Sequence, residues 1–240
     1  MCPIGRGEVK RKAGVMEDWL FELLFQEVKE MGSAVRFVRW GEPTMHPNCY
    51  DYIKRFTDAK IPVHMNTNGS LLSIKKVIES KLDSLKFSLQ GTDPVSYRIW
   101  RKEDFYEGLR KKALELFGKC NGKPYITVGS TAIDCSANQE KEFIRDFHDR
   151  ADEVFMGRTL DLSQPAEKYL ECPEVFDKLS VNWDGTVVAC CGDYDNKMVV
   201  GDFPNKPLAE LFHCEKMQEY RKLLANFKHK KLPLCRNCVR

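Results

Sequence analysis

Two cysteine-bearing stretches organise this chain: C-P-E-V-F-D-K-L-S-V-N-W-D-G-T-V-V-A-C-C, from Cys172 to Cys191, and C-R-N-C, from Cys235 to Cys238. Two apolar runs flank Asp184-Gly185 in the first stretch. An Asp-Gly pair in that position predicts a β-hairpin, because both turn residues must accept positive φ. The hairpin would return Cys190 to the neighbourhood of Cys172, and the C-x-x-C pair would supply two more thiolates. Four thiolates suit either a tetrahedral zinc ion or an iron–sulfur cluster.

Cys191 competes with Cys190 for one of these four positions. Adjacent residues of a strand point to opposite faces of a sheet, so only one of the two is expected to bind metal. Our assignment is Cys172, Cys190, Cys235 and Cys238, with Cys191 as the alternative to Cys190. Most of the remaining cysteines are expected to be packed or surface residues: Cys49, Cys120, Cys135 and Cys214.

The composition is that of an ordinary soluble globular protein, with 240 residues of which 42% are hydrophobic and 30% charged. The 38 basic and 35 acidic residues nearly cancel, and the net charge of +3 predicts neither nucleic acid nor a membrane surface as a partner. No apolar stretch is long enough to span a bilayer, and no signal segment opens the chain. Ten cysteines without an export signal favour a reducing, cytoplasmic location, where metal binding is commoner than disulfides.

Apolar residues with helical spacing alternate along the chain with short β-rich runs. The predicted helices are centred on residues 19–31, 50–56, 74–78, 105–117 and 142–150. The predicted strands are Ala34–Val38, Ile61–Met65, Leu85–Leu89, Tyr125–Val128 and Val154–Met156. Strict alternation of strand and helix predicts βαβ units and a parallel sheet, whose working residues lie at the carboxyl ends of the strands.

Polar and glycine-rich sequences follow three of these strands: W-G-E-P at 40–43, N-T-N-G at 66–69 and F-S-L-Q-G at 87–91. Together with M-C-P at 1–3, and in this order, they resemble the radical S-adenosylmethionine enzymes. The C-terminal cysteines resemble the twitch or SPASM auxiliary iron–sulfur domain of that superfamily. The resemblance covers almost the whole chain, and its specificity comes from the ordered set, since each sequence alone is weak.

This resemblance implies an α/β fold with a partial (β/α)6 TIM-like barrel in residues 1–160 that lacks its first strand. A small β-hairpin-plus-helix iron–sulfur domain would follow in residues 161–240. The family holds its catalytic 4Fe–4S cluster on a C-x-x-x-C-x-x-C loop, of which only the last cysteine is present, as Cys2. The first strand and two cluster cysteines would lie upstream of Met1, so the chain as written is expected to be inactive. Truncation at an internal methionine explains the missing start, and a degenerate member of the family is the alternative.

Two further departures from the family pattern bear on the cofactors. The family's usual pair of glycines before Glu42 is Trp40-Gly41 here, which would alter the contact to the amino group of S-adenosylmethionine. The C-terminal cysteines are too few for a full SPASM domain, which binds two clusters. They match better the twitch domain, which binds one auxiliary 4Fe–4S cluster.

The resemblance also implies a binding site for S-adenosylmethionine at the strand ends. Its expected members are Gly41, Glu42, Pro43, Asn68, Ser88 and Arg158. The first three would meet the amino group of the cofactor through backbone and carboxylate, and Asn68 would pack beneath it. Ser88 would offer its hydroxyl to the ribose, and Arg158 would meet a carboxylate. Each residue also has a plain structural interpretation, as part of a turn, a helix cap or a solvated surface.

For function, the resemblance implies that a reduced catalytic cluster cleaves S-adenosylmethionine to methionine and a 5′-deoxyadenosyl radical, which abstracts a substrate hydrogen. With an auxiliary cluster present, the expected outcome is oxidation or modification of a peptide or a small metabolite. A flavodoxin or ferredoxin would be the electron donor. The alternative is a non-catalytic degenerate barrel whose zinc or iron–sulfur knuckle binds a partner protein.

Overall fold

The structure, a computed structural model, describes residues 4–132, 135–158 and 172–238. Its internal contacts separate two compact units, one within Met31–Thr159 and one that joins Cys2–Glu30 to Leu160–Arg240. The second unit is therefore built from both ends of the chain. Among the described helices, none has the length and apolar character needed to span a bilayer.

The first unit contains a sheet of five strands: β1 (Val35–Phe37), β2 (Val63–Thr67), β3 (Ser84–Ser88), β4 (Tyr125–Ala132) and β5 (Glu153–Arg158). The strands of the second unit are β6 (Ser180–Val181), β7 (Thr186–Val188) and β8 (Val199–Asp202). The helices up to residue 147 are α1 (Asp18–Met31), α2 (Cys49–Asp58), α3 (Ile74–Glu79), α4 (Pro94–Arg101), α5 (Tyr106–Lys119) and α6 (Ala137–Phe147). The later helices are α7 (Pro173–Asp177), α8 (Leu208–His213) and α9 (Glu215–Ala225).

The sheet of the first unit is parallel throughout, with strands in the sequential order β1 to β5. The α/β fold class and the alternation of strand and helix predicted from the sequence are confirmed. Strand β2 begins at Val63 and not at the predicted Ile61. Pro62, between these residues, has no amide hydrogen to contribute to the ladder, although its carbonyl accepts from Val35 N at 2.9 Å.

The two faces of this sheet differ sharply in polarity. On one face, which we call the core face, alternate residues of the three central strands are fully or almost fully buried: Val63, Met65, Leu85, Phe87, Ile126 and Val128. The amphipathic helices of the unit contribute the rest of its apolar core, including Phe56 of α2, Val77 of α3, Leu116 of α5 and Phe147 of α6. The residues between these positions form the opposite side, the polar face, and leave it available for function.

Helix α4 was not predicted from the sequence, although its start carries clear signals. Asp93 accepts from Ser96 N at 2.8 Å, and the Ser96 hydroxyl accepts from Asp93 N at 3.1 Å, which completes a capping box. Pro94 occupies the first helical turn, where its missing amide hydrogen costs nothing. The helix ends at Arg101, and it therefore brings that residue back toward the end of β3.

The second unit contains a small antiparallel sheet in the order β6-β7-β8. The predicted hairpin is confirmed: Ser180 pairs with Val188, and Gly185 in the turn has φ of +86°. Strand β8 was not predicted, because its short run V-V-G-D is interrupted by a glycine. The sequence predicted a linker at residues 159–170, which lies outside the described residues.

The N-terminal segment before α1 packs against the hairpin region of the same unit. Lys10 N donates to Asp195 Oδ1 at 2.7 Å, and Trp183 Nε1 donates to Lys12 O at 3.2 Å. Gly14 lies so close to the Trp183 ring that an added Cβ would be 2.4 Å from it. The segment that follows Cys2 in the sequence is thus fixed to the same unit as the C-terminal cysteines.

Candidate functional site

Glu42, predicted to meet the amino group of a cofactor, joins the carboxyl ends of β1 and β2. Its Oε1 accepts from Thr44 Oγ1 at 2.6 Å and from Thr67 Oγ1 at 2.7 Å, and its Oε2 accepts from Asn68 N at 2.6 Å. These donors are neutral, so the carboxylate keeps its negative charge available to a cation. The structure therefore brings Glu42 and Asn68 together at one edge of the sheet, as their positions after neighbouring strands predict.

The other residues of these two strand ends behave mainly as turn residues. Pro43 begins a short 3-10 turn that Glu42 caps, and Gly41 has φ of +147°, in a region that favours glycine. Asn68 Oδ1 accepts from Ser70 N at 2.9 Å and from Ser70 Oγ at 2.7 Å. The side chain of Asn68 is thus engaged in its own turn, which leaves its backbone as the part available to a ligand.

The carboxyl end of β3 carries buried polar atoms that favour a binding site there. A terminal guanidinium nitrogen of Arg101 donates to Ser88 O at 3.3 Å, which holds the arginine beside the strand end. Two other polar atoms there, Arg101 Nε and Gln90 Oε1, are buried and have no hydrogen-bond partner among the described residues. A buried polar atom without a partner costs about 1–3 kcal/mol, so a bound molecule that pairs with it is favoured. Together they offer one charged donor and one acceptor to a bound molecule.

Arg101 was missed from the sequence, and the reason is that helix α4 was missed. The D-P-x-S start of that helix would have been the signal, since it places Arg101 at the far end of the short helix that comes after β3. The predicted carboxylate partner, Arg158, is the last residue of β5, and the structure describes its backbone alone. Its predicted role therefore stays a prediction.

In the second unit, three local structures position the predicted metal ligands. Cys172 directly precedes α7, Cys190 lies two residues beyond β7, and Cys235 opens a single 3-10 turn. That turn is closed by a bond from Cys238 N to Cys235 O at 3.1 Å, so both sulfurs of the C-x-x-C pair leave one turn of backbone. Cys172 and Cys235 are each 6% exposed, which shields a bound group from water.

The thiol groups lie close enough to affect one another's charge. Burial, followed by the charges of Cys172 and Cys238, raises the pKa of Cys235 to about 12. A hydrogen bond with Cys191, burial and the charge of Cys172 all raise the pKa of Cys190. The charge of Cys172 thus acts on Cys190 of the hairpin and on Cys235 of the C-x-x-C pair. Within the described residues, however, no three histidine, cysteine or carboxylate side chains converge on the point that one metal ion would occupy.

These residues fit an iron–sulfur cluster in their chemistry. Iron–sulfur clusters are held by cysteine thiolates, and hydrogen bonds to the sulfurs tune their potential. Gly192 N already donates to Cys190 Sγ at 3.3 Å, a contact of this kind. Ionised thiolates repel one another, and the iron of a bound cluster would relieve that repulsion.

The remaining predicted ligand, Cys2, lies outside the described residues. Its role as a ligand of the catalytic cluster therefore stays a prediction. Cys49 is buried, and its burial followed by the nearby Glu42 charge raises its pKa to about 12, as expected for a packed residue.

Comparison with known proteins connects both parts of the chain to one superfamily. A model of the radical SAM superfamily matches residues 1–146, and a model of the SPASM iron–sulfur cluster-binding domain matches residues 172–239. The S-adenosyl-L-methionine-dependent 2-deoxy-scyllo-inosamine dehydrogenase of Niallia circulans is 23% identical over 235 residues, which cover 95% of this chain and 82% of that enzyme.

Solved structures of similar fold include three radical SAM proteins. BtrN in complex with AdoMet and 2-DOIA superposes with a TM-score of 0.66 at 18% identity, over 100% of this chain and 86% of BtrN. For anSMEcpe with bound AdoMet the TM-score is 0.70 at 18% identity, over 95% and 81% of the two chains. For Streptococcus suis SuiB bound to the precursor peptide SuiA it is 0.65 at 15% identity, over 88% and 61%. The similarity to these structures extends over both units of the fold.

Proposed function

Because this chain belongs to the radical SAM superfamily and its C-terminal region matches the SPASM domain, it is a radical SAM enzyme, and we propose that it oxidises a small polar metabolite. The observation that carries the cofactor site is the pair of unsatisfied buried atoms, Gln90 Oε1 and Arg101 Nε, at the end of β3. Similarity to a dehydrogenase along 95% of the chain supports the class of reaction. A peptide substrate is the second candidate, supported by the similarity of fold to SuiB with its bound peptide.

The side chains at the strand ends match the carboxylate, amino and hydroxyl groups of S-adenosylmethionine. The guanidinium of Arg101 complements its carboxylate, and Gln90 Oε1 accepts from an ammonium or a hydroxyl. Glu42 presents a carboxylate whose protein donors are all neutral, and this suits the amino group. The ribose contact predicted for Ser88 remains part of the proposal, as does the sequence-based assignment of Gly41, Pro43 and Asn68. Arg101 is a second candidate for the carboxylate contact, beside Arg158, whose role stays as predicted from the sequence.

We propose that Cys172, Cys190, Cys235 and Cys238 hold one auxiliary 4Fe–4S cluster. When bound, iron–sulfur clusters and S-adenosylmethionine together supply one-electron chemistry that removes hydrogen from an unactivated C–H bond. The chain's own residues bind and orient the cofactor and exclude water from it. We further propose a reducing, cytoplasmic compartment and a flavodoxin or ferredoxin as electron donor.

Replacement of Arg101 with methionine is expected to weaken S-adenosylmethionine binding by about 10–100-fold, because a charge-assisted hydrogen bond contributes about 1.5–3 kcal/mol. Binding is measured by isothermal titration calorimetry on the anaerobically purified full chain. The matched control is Arg98→Met in the same helix, where the guanidinium is 58% exposed and pairs with Asp104 at 2.8 Å. Equal binding by both variants, at unchanged helix content, contradicts the assignment of Arg101.

The proposed auxiliary cluster is tested by the metal content of the purified protein. Anaerobically reconstituted protein is expected to be brown and to hold about four iron atoms per chain at the auxiliary site. Colourless protein with one zinc ion per chain would contradict the auxiliary cluster and leave the partner-binding alternative in its place.

A further inference from the structure

The polar face of the parallel sheet carries a group of charged and polar side chains that the cofactor site does not use. The strand register aligns them in two rows across the sheet. The first row is Arg36, His64 and Ser84, and the second is Asn66, Lys86, Thr127 and Glu153. We call these seven residues the polar-face cluster. Such a cluster on one face of a sheet requires either internal pairing or a polar ligand.

Most members of the polar-face cluster are paired with one another. The two ring nitrogens of His64 lie 2.7 Å from Ser84 Oγ and 2.6 Å from Asn66 Oδ1. Thr127 Oγ1 donates to Glu153 Oε2 at 3.1 Å. These bonds fix the orientation of His64 and of Glu153, so the cluster is a rigid surface.

Arg36 and Lys86 take no part in these hydrogen bonds, and the half-buried one of the two is Lys86. Its ammonium lies 4.3 Å from the centroid of the Phe155 ring, and it forms no hydrogen bond to any described residue. Cation–π contact holds the lysine in place without using its three N–H donors. Lys86 therefore presents a positioned, half-buried positive charge with its hydrogen-bonding capacity intact.

The charges around Lys86 leave the cluster positive. The cluster contains two cations, Arg36 and Lys86, and one carboxylate, Glu153. The charge of Glu153 acts on Lys86, and both cations act on His64. Burial, with the charges of Arg36 and Lys86, lowers the pKa of His64 below its usual 6.5, so His64 is neutral at pH 7. One positive charge is then unmatched, and it favours a ligand with a negative group.

The Lys86 side chain extends toward the working edge of the sheet. An added Cβ on Gly129 would lie 3.0 Å from Lys86 Cε and 2.7 Å from the Phe155 ring, so all three meet at the level of Gly129. Gly129 is aligned with Ser88, the last residue of β3. The Lys86 side chain therefore extends toward the strand end at which Arg101 donates to Ser88 O.

We propose that Lys86 is a specificity-determining residue that binds an anionic group, phosphate or carboxylate, of the small metabolite that this enzyme oxidises. Phe155 forms the apolar wall of the subsite, and Gly129 leaves room for the Phe155 ring and the Lys86 side chain. The inference rests on the proposed function, because it assigns a substrate class to that enzyme. It adds a requirement that neither the family nor the cofactor imposes, namely a negative charge on the substrate.

The test is a titration of the full chain with inorganic phosphate and, separately, with gluconate, followed by calorimetry. We expect saturable binding of at least one anion, weakened about tenfold or more in Lys86→Met and retained in Lys86→Arg. The matched control, Lys75→Met, removes a lysine that is 83% exposed on α3 and is expected to bind as the unaltered chain does. Preference for phosphate identifies a phosphate ester as the substrate class, and preference for gluconate identifies a carboxylic acid.

A second measurement needs no variant. Because the positive charges of Arg36 and Lys86 lower the pKa of His64, an anion bound at Lys86 is expected to raise that pKa, observed by NMR of the imidazole. Binding without any response of His64, equal affinity in Lys86→Met, or no saturable binding of either anion overturns the proposal. These titrations require neither a cluster nor S-adenosylmethionine, so their failure is distinguishable from failure of the proposed function, which the Arg101 and iron measurements test.

Discussion

Replacement of Gly185 with alanine is expected to destroy the β6–β7 hairpin and to lower the stability of the second unit by about 3–5 kcal/mol. The residue has φ of +86°, and an added Cβ would lie 2.1 Å from Phe203 O. That oxygen belongs to backbone held in place by a bond from Phe203 N to Gly185 O at 2.9 Å, so it cannot rotate away. The methyl group therefore forces β7 and the chain after β8 apart, and Cys190 moves with them.

Gly122→Ala is the matched control, because Gly122 also has positive φ, +79°, but has no atom within 4 Å of an added Cβ. The stability of this variant is expected to fall only by the cost of positive φ to a non-glycine residue, about 1–2 kcal/mol. Urea unfolding measures both losses, and hydrogen exchange of the Thr186–Val188 amides reports the hairpin locally. Equal losses in the two variants, with protected β7 amides in both, would show that the close approach to Phe203 is tolerated.

The sequence predicted the turn at Gly185 but not the contact that makes a side chain unacceptable at this position. Asp184-Gly185 between apolar runs is a local signal, and the hairpin formed where that signal lies. The contact with Phe203 depends on β8, which is a separate short strand without a pattern of its own. Local chemistry is thus readable from neighbouring residues, whereas contacts between distant segments are not.

The same distinction runs through the candidate site. Glu42 and Asn68 were predictable because each follows a strand, and adjacent parallel strands end at one edge. Arg101 was not predicted, because its position depends on the length and direction of α4. Lys86 lies inside a predicted strand, and alternation predicts which face of the sheet it occupies. It does not predict that Lys86 packs against Phe155 and beside Gly129. The periodicity of a sequence predicts the faces of a sheet and the ends of its strands. Which side chains there lack a hydrogen-bond partner depends on the packing of distant segments.

The grouping of the N-terminal segment with the C-terminal unit could not be read from the sequence either. It depends on contacts such as that of Gly14 with Trp183, which join residues far apart in the chain. This grouping bears on the proposed cluster site, because Asp195, which accepts from Lys10 N, lies shortly after Cys190 and Cys191 in the chain. The loop beyond Cys190 thus has a fixed position before any cluster is bound.

Replacement of Cys190 with serine is expected to lower the auxiliary iron from about four atoms per chain to less than one, whereas Cys191→Ser is expected to retain it. A serine oxygen is a hard ligand that binds iron of such clusters poorly. The charge of Cys172 raises the pKa of Cys190, and the Cys190 sulfur accepts from Gly192 N at 3.3 Å. The influence of Cys172, another proposed ligand, is the reason for placing Cys190 in the ligand set.

The two variants control for each other, because they differ by one residue in position and by nothing in chemistry. Iron is measured by colorimetric assay after anaerobic reconstitution, and the visible absorption of the cluster is recorded in parallel. Loss of iron in Cys191→Ser with retention in Cys190→Ser would reverse the assignment. Retention in both would mean that neither hairpin cysteine is required, and the cluster would then have to be held without the β6–β7 hairpin, which removes the physical reason for this part of the fold.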